Sequence, residues 1–215
     1  MILSALNRNY TTKQWSRWWA KRKKDWKVEH LSTWQHPHRY FISSLLKTFD
    51  WYSLMEIGCG AGANLVHITK TIGGRQLGGI DINPEMIKLA EETFKGGQFK
   101  VGSGDDLLMS DDSTDVTLTD MFLIYISPTQ IKKYVLELRR ITRKRVVLCE
   151  FHSYSWWERF KLRLQGLHAY NYRKLLERQG FYDIHIYKLP DVWGDETHKK
   201  FSHIIIAKVP RRKNV

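Results

Sequence analysis

Cysteine is scarce in this sequence of 215 residues, which contains only Cys59 and Cys149. Two cysteines cannot build a disulfide framework or a cysteine-rich zinc site, so a small disulfide-stapled protein is excluded. No cluster of histidine, aspartate and glutamate has the spacing of a metal site either, and we expect no metal. Both cysteines are expected to be free thiols in a reducing compartment.

Long apolar runs are also missing. No segment approaches the ~18 apolar residues that a membrane-spanning helix requires, and residues 1–8 lack the basic-then-apolar layout of a signal peptide. The expected compartment is therefore the cytoplasm. A chain of this length with 42% hydrophobic and 27% charged residues can bury a full core, which excludes collagen-like, low-complexity and wholly disordered proteins.

Acidic residues are outnumbered, with 22 Asp+Glu against 35 Lys+Arg and a formal net charge of +13. Residues 1–50 contain 10 basic and 3 acidic residues, residues 51–128 contain 5 and 11, and residues 129–215 contain 20 and 8. Two basic flanks therefore enclose an acidic centre. The first flank is also aromatic, because five of the nine tryptophans precede residue 35: Trp15, Trp18, Trp19, Trp26 and Trp34.

Local patterns predict two helices before the first strand. Thr11 followed by Gln14 is typical of a capping box and opens a helix that runs to about residue 24. His36-Pro37 predicts the start of a second helix, with proline at its first position. We expect residues 1–50 to form a basic, tryptophan-rich helical cap.

From residue 53 short β-like runs alternate with helical runs, which is typical of βαβ units and a mostly parallel sheet. The final strand is expected to be antiparallel, because residues 189–196 leave no room for a crossover helix. Residues 51–208 are predicted to form one α/β domain, followed by a basic tail at 209–215. The predicted strands lie near 53–57, 76–81, 98–102, 115–120, 145–150, 182–189 and 202–208, and the helices near 62–72, 84–94, 128–142 and 169–179.

A glycine-rich turn joins the first predicted strand to a helix, in the run Leu54-Met55-Glu56-Ile57-Gly58-Cys59-Gly60-Ala61-Gly62-Ala63-Asn64. Glycine permits a tight turn and lets a ligand approach the backbone where a Cβ would block it. With Asp81 at the end of the second strand, the turn also satisfies the dinucleotide-binding fingerprint G-x-G-x-x-A.

Further segments, in the same order and with matching spacing, resemble the class I S-adenosylmethionine-dependent methyltransferases. Glu56-x-Gly58-x-Gly60-x-Gly62 resembles that family's first motif, and residues 79–87 resemble its second. The resemblance covers about residues 50–208, whereas a dehydrogenase match would stop after residue 81. It continues through residues 110–116, 123–126, 137–141 and 179–181.

The resemblance implies a Rossmann-like fold, with a seven-stranded, mostly parallel sheet, an antiparallel last strand and helices on both faces. It also implies S-adenosylmethionine as the cofactor. Asp81 would accept hydrogen bonds from the ribose hydroxyls, and either Ser103 or Asp105 would contact the adenine. Cys59 is expected to fill space in the turn. The cofactor-binding residues implied are Glu56, Gly58, Cys59, Gly60, Gly62, Asp81, Ile82, Ser103, Gly104, Asp105, Asp120 and Met121, the last two beside the transferring methyl group.

Methyl transfer from a sulfonium needs a nucleophile held in line and water excluded, and a general base helps most when the acceptor is a hydroxyl. Candidates must follow the carboxyl ends of strands, where open α/β sheets bind ligands. Tyr125 after the fourth strand and His152 after the fifth are the catalytic candidates, although packing would also account for either. Glu150, His168 and Tyr170 are weaker candidates, and His67 and His203 are expected to be structural.

Two absences narrow the choice of acceptor. No Asn/Asp-Pro-Pro-Tyr motif occupies residues 120–123, which argues against methylation of the amino group of a flipped base. Neither cysteine has a Pro-Cys context after the fourth strand, which argues against covalent cytosine chemistry. Because basic flanks attract and grip anions, we expect transfer to a hydroxyl, amine or carboxylate of an anionic small molecule.

The basic, aromatic segments 15–26 and 155–164 are expected to border the acceptor opening, and they leave other partners open. RNA or single-stranded DNA could lie on them, either as a substrate or as the ligand of a non-catalytic binding subunit. A membrane surface could receive Trp156, Trp157 and Phe160 and give access to a lipid-linked acceptor. In the plainest alternative the tryptophans cover the sheet and the charges are solvated.

Overall fold

A computed structural model describes residues 11–22 and 33–210 of the chain. Two helices precede the first strand, and strands then alternate with helices. A 3₁₀ turn over Leu123–Tyr125 follows the fourth strand. The helices and strands are α1 (Thr12–Lys21), α2 (Pro37–Leu46), β1 (Ser53–Ile57), α3 (Ala63–Thr71), β2 (Gln76–Asp81), α4 (Pro84–Thr93), β3 (Gln98–Val101), β4 (Thr114–Asp120), α5 (Ile131–Ile141), β5 (Thr142–Phe151), α6 (Trp156–Leu164), α7 (Tyr172–Glu177), β6 (Tyr182–Lys188), α8 (Glu196–Phe201) and β7 (Ser202–Lys208).

The described strands form one sheet in the order β3-β2-β1-β4-β5-β7-β6. β1 to β5 pair in parallel, and β7 runs antiparallel to both β5 and β6. The predicted Rossmann-like fold class is therefore confirmed, including the antiparallel last strand. The strand order reverses between β1 and β4, and in open α/β sheets this is where the carboxyl ends of the strands open a crevice for a ligand.

Successive side chains of the central strand β5 point to opposite faces of the sheet, as strand geometry requires. Val146 packs in the cluster that contains α5 and α7 residues, and Val147 packs in the cluster that contains α2 and α3 residues. The two faces are thus each covered by helices. Cys59 and Cys149 are both buried free thiols, as expected. Among residues 11–22 and 33–210, no helix is both long enough and apolar enough to cross a membrane.

The structure differs from the expected elements at three places. α6 falls in a segment for which no helix was predicted, and β5 begins at Thr142, directly after α5, whereas the strand was predicted to begin near residue 145. The short helix α8 occupies the β6–β7 connection, but six residues are too few to cross the sheet, so β7 still returns antiparallel. Residues 23–24 of the first predicted helix and 211–215 of the tail lie outside the described residues.

Candidate active site

A cavity of about 250 Å³ lies where β1, β2 and β4 end. The turn after β1 and the final residues of β2 and β4 supply its polar wall, and Phe122 and Tyr134 supply apolar surface. The topology therefore brings residues from three separate parts of the sequence to one place. The predicted site residues that line this cavity are Gly58, Gly60, Asp81, Ile82, Ser103, Gly104, Asp120, Met121 and Tyr125.

Helix α1 covers this cavity, and Trp15 and Trp19 are among the residues that line it. Their rings lie 4.7 and 5.4 Å, centroid to centroid, from the ring of Tyr125. Tyr125 is partly buried, and desolvation raises the pKa of its hydroxyl well above the usual value. The three aromatic side chains form a dry wall on the side of the cavity that faces α1.

Three hydrogen bonds hold α1 in this position. At its start, the Thr12 hydroxyl accepts the backbone N–H of Ser127 at 2.7 Å. In its middle, the Trp15 indole N–H donates to the carbonyl of Gly166 at 2.9 Å. At its end, the Asn83 side-chain amide donates to the Trp19 carbonyl at 2.9 Å. The helix is anchored along its whole length to three separate loops.

The turn after β1 depends on glycine at two positions. Gly58 has φ 76°, and a Cβ there would lie 2.7 Å from the Phe122 ring. Gly60 has φ 52°, and its N–H donates to Asp81 Oδ2 at 2.9 Å. Cys59 packs its sulfur against Gly79 of β2 and does not line the cavity. The space-filling role expected for the thiol agrees with this placement.

Asp81 faces the cavity from the end of β2 with both oxygens partly engaged. Oδ2 accepts from Gly60 N–H, and Oδ1 accepts from Asn83 N–H at 2.9 Å. Burial outweighs these hydrogen bonds and raises the pKa of the carboxyl. Because each carboxylate oxygen can accept two hydrogen bonds, both retain capacity for hydroxyl groups of a ligand.

Two further carboxylates, Glu56 and Asp120, are joined by Asn64 at the start of α3, and of the two only Asp120 lines the cavity. The Asn64 amide N–H₂ donates to Glu56 Oε1 at 2.6 Å and to Asp120 Oδ2 at 2.9 Å. His38 Nε2 lies 2.8 Å from Asp120 Oδ2, and the Arg39 guanidinium donates to the same oxygen at 3.3 Å and to Asn64 Oδ1. The two residues from α2 thus complete a buried polar network.

The two acids of this network have opposite pKa shifts. Burial raises the pKa of Glu56 to about 8, and the hydrogen bond from Asn64 only partly offsets it. Burial would also raise the pKa of Asp120, but His38, Arg39 and Asn64 outweigh it and hold that pKa well below its usual value. Glu56 Oε2 and Asp120 Oδ1 are buried and accept no hydrogen bond from any described residue. Two acceptor atoms are thereby left for a cationic or hydrogen-bond-donating ligand.

A cluster of rings borders Asp120 on the side of α2, and we call His36, His38, Trp193 and His198 the histidine–tryptophan cluster. The Trp193 ring lies 4.9 Å from the His38 ring and 5.2 Å from the His198 ring. His36 Nδ1 is 2.5 Å from His38 Nδ1, and burial is the main reason that the His36 pKa falls to about 4. From the sequence we predicted residues 36 and 37 only as the start of a helix. The two histidines on either side of Pro37 were the feature that could have indicated a functional site there.

At the adenine end implied by the resemblance, the alternatives Ser103 and Asp105 have different placements. Ser103 lines the cavity, as does Gly104. Asp105 accepts from the Ser103 hydroxyl at 2.5 Å and pairs with Lys133 at 3.1 Å, and it does not line the cavity. The geometry therefore favours Ser103 as the group that reaches a ligand.

His152, a predicted catalytic candidate, is not among the residues that line this cavity. It is buried outside the cavity, where its Nδ1 accepts the N–H of Tyr172 at 3.3 Å, and burial lowers its pKa to about 4. Residues 155–164 likewise contribute nothing to the cavity lining. Both follow β5, which β1 and β4 separate from β2 in the sheet. Sequence position after a strand does not say how far that strand lies from the crevice.

The weaker candidates are also buried away from the lining. Glu150 Oε1 accepts from the N–H groups of Phe122 and Leu123, and burial raises its pKa to about 8. Burial lowers the His168 pKa to about 4. In the described residues, no group of three or more His, Cys, Asp or Glu side chains is placed to hold a metal ion.

Comparison with known proteins agrees with this geometry. Residues 54–145 match the sequence profile of a methyltransferase domain. A probable phthiotriol/phenolphthiotriol dimycocerosates methyltransferase 2 of Mycobacterium ulcerans is 33% identical over 85 residues, which are 39% of this chain and 33% of that protein. A phosphoethanolamine N-methyltransferase of Triticum aestivum is 26% identical over 130 residues, 55% of this chain and 25% of that protein. The chain thus matches less than two thirds of the length of these relatives.

Among solved structures, the fold is similar to that of magnesium protoporphyrin IX methyltransferase from Synechocystis PCC 6803, determined with bound SAH. The two share 14% identity with a TM-score of 0.62, and the match covers 98% of each chain. The sequence match over residues 54–145 and the fold are both similar to those of class I S-adenosylmethionine-dependent methyltransferases. S-adenosylmethionine is the cofactor that this class uses.

The residues around the cavity fit this cofactor. Gly58 and Gly60 leave room for close approach to the backbone, and Asp81 has acceptor capacity for a ribose diol. The unpartnered oxygens of Glu56 and Asp120 suit the ammonium and sulfonium charges of the methionine part. A cationic ligand would satisfy these two buried acceptors, whereas an anionic one would be repelled by them.

Proposed function

We propose that this protein transfers a methyl group from S-adenosylmethionine to a hydroxyl, amine or carboxylate of an anionic small molecule. One observation carries the proposal: Asp81 and Asp120 line one cavity beneath α1, and Asn64 joins Asp120 to the buried acid Glu56. A fold kept only for binding nucleic acid would have no use for this constellation.

Each group of residues has a separate task in this proposal. When bound, the cofactor supplies an electrophilic methyl group. Asp81 and the turn at Gly58 and Gly60 hold the nucleoside part, and Glu56 neutralises the ammonium. Trp15 and Tyr125 exclude water, which strengthens electrostatic interactions inside the site. The protein thus acts chiefly by position and by a dry environment.

Asp120 and His38 are placed to manage the proton that a hydroxyl or ammonium acceptor loses. His38 Nε2 lies 2.8 Å from Asp120 Oδ2, and the His36 ring lies next to His38, so polar groups lead from the cavity wall to the start of α2. Because Asp120 is held ionised, the pair can take up positive charge without leaving an isolated buried ion.

An anionic acceptor is supported by the charge of the chain. The net charge is +13, and α1 carries the exposed cations Lys13, Arg17 and Lys21 on the helix that covers the cavity. Such a field raises the local concentration of anions. The phosphoethanolamine acceptor in the name of the wheat relative carries a phosphate, which agrees with this choice.

Isothermal titration calorimetry with S-adenosylmethionine and with its demethylated product tests the proposal. The intact protein should bind both, and Asp81→Ala should bind at least about tenfold more weakly, because a pair of hydrogen bonds to a charged group contributes 1.4 kcal/mol or more. Asp50→Ala, which removes an exposed carboxylate, should bind as the intact protein does. Absence of heat with the intact protein would refute the enzymatic function.

A further inference from the structure

Helix α6 exposes an apolar face to solvent. Trp156 is 68% exposed, Trp157 48% and Phe160 44%, and Leu164 at the end of the helix is 56% exposed. Their spacing places them along one side of the helix, while Leu162 is the buried residue that attaches α6 to the protein. Single exposed apolar residues are ordinary, but a contiguous patch of this kind marks an interaction site.

The aromatic rings of this face contact one another and form a continuous surface. The Trp156 and Trp157 rings are 5.5 Å apart, and Trp157 stacks on Phe160 at 5.7 Å with an angle of 18° between the ring planes. Tyr154, just before the helix, is 61% exposed. We call Tyr154, Trp156, Trp157, Phe160 and Leu164 the α6 patch.

The rim of the α6 patch is positively charged. Lys161 and Arg163 are exposed, and Lys161 Nζ lies 5.3 Å from the Trp157 ring. The acid within α6, Glu158, is engaged by Lys200 at 2.8 Å and by the Ser153 hydroxyl at 2.6 Å. Little negative charge therefore opposes the cations around the apolar face.

We propose that the α6 patch docks the protein on the surface of a membrane that contains anionic phospholipids. Tryptophan and phenylalanine partition into the headgroup region, and lysine and arginine pair with lipid phosphates. Single-stranded nucleic acid fits less well, because Trp157 and Phe160 already stack on each other and an exposed leucine gives a base nothing to stack on.

The α6 patch is linked to the cover of the cavity. Leu162 belongs to the same buried cluster as Trp15 of α1. The loop that follows α6 supplies the Gly166 carbonyl that holds the Trp15 indole. The segment that docks on lipid is therefore one of the three anchors of α1.

Cosedimentation of the full chain with vesicles tests this docking. The intact protein should bind vesicles of phosphatidylcholine with phosphatidylglycerol at least tenfold more tightly than vesicles of phosphatidylcholine alone. The combined variant Trp156→Ser, Trp157→Ser and Phe160→Ser should lose at least tenfold in binding to the anionic vesicles. The control variant replaces two exposed tyrosines outside the α6 patch, Tyr52→Ser and Tyr182→Ser. It should bind the anionic vesicles as tightly as the intact protein does.

Cofactor binding by calorimetry identifies variants that remain folded, independently of lipid. Should the aromatic variant fail to fold, Lys161→Glu with Arg163→Glu alters exposed positions only and should lose the preference for anionic vesicles. No binding of the intact protein to anionic vesicles, or equal binding by a folded patch variant, would overturn the proposal. So would binding of a generic single-stranded RNA that the same variants weaken while vesicle binding does not occur.

Discussion

Asn64 shows how one side chain can set the chemistry of a site. Its amide nitrogen donates to both Glu56 and Asp120, and its oxygen accepts from Arg39. Two buried carboxylates in mutual contact would ordinarily share one proton, because both charges cannot remain close together at low cost. Here burial, and to a smaller extent the charge of Asp120, raises the pKa of Glu56 to about 8, so Glu56 is the acid that keeps the proton.

Cofactor affinity should therefore depend on the ionisation of Glu56. The pKa of Glu56 is about 8, so in the free protein this acid is protonated when the pH is below that value. A bound ammonium group favours the ionised form. Cofactor binding should therefore release a proton, and the affinity should rise with pH. Calorimetry between about pH 5.5 and 7.5 should show affinity rising by up to tenfold per pH unit. A pH-independent affinity of the intact protein contradicts this.

Glu56→Gln is the control for that measurement. Glutamine keeps an acceptor for Asn64 and cannot ionise, so the variant should bind more weakly and lose the part of the pH dependence that Glu56 contributes. The amino group of the cofactor also titrates, and it does so equally with both proteins. Subtracting the pH profile of affinity of Glu56→Gln from that of the intact protein therefore leaves the part that Glu56 contributes.

At the scale of elements, α1 is the part whose position most affects the site. Its aromatic residues line the cavity, while three loops hold it by hydrogen bonds. One of these anchors, Asn83, is also the N-cap of α4, where its side chain accepts from Glu85 N–H at 2.9 Å. The turn that follows Asp81 is thus tied to the helix that covers the cavity.

Asn83 both caps α4 and anchors α1, and a comparison of Asn83→Ala with Asn171→Ala should separate these two roles. Asn171 caps α7 and does not line the cavity. Each variant should lose about 0.5 to 2 kcal/mol of stability in urea unfolding, because each removes an N-cap. Only Asn83→Ala should also weaken cofactor binding, by several-fold, because α1 loses one anchor. Equal cofactor affinity in the two variants would show that the anchor has no role in binding.

On the scale of the whole molecule, the free energy of unfolding should depend on pH through Glu150, a buried acid near the carboxyl end of β5. Glu150 is fully buried, and its pKa rises from an ordinary 4.5 to about 8. Between these values the folded protein binds more protons than the unfolded chain, so this group lowers stability as pH rises. The loss is at most about 1.4 kcal/mol per pH unit.

Glu150→Gln should remove this dependence, because glutamine keeps the oxygen that accepts from Phe122 and Leu123. Urea unfolding at a series of pH values should show the variant gaining stability relative to the intact protein as pH rises through this window. A constant difference between the two proteins across the series would mean that Glu150 ionises normally.

Much of the fold could be predicted because its signals are local. The alternation of strand and helix patterns, the glycine turn and Asp81 each occupy a few neighbouring residues, and their order along the chain defines the class of fold. The short β6–β7 connection likewise predicted the antiparallel last strand from chain length alone. The helix α6 was not predicted, because its apolar residues face solvent and its pattern resembles a loop insertion.

The sequence by itself determined the α/β class and the glycine turn, because each rests on patterns within short segments, and the resemblance to class I methyltransferases implied the cofactor. Only the tertiary structure decided that His38 and Arg39 of α2 face Asp120, that His152 lies away from the cavity, and that the α6 patch is exposed. These facts depend on which distant segments pack together, and a periodic pattern shows that a face is buried without showing which element covers it.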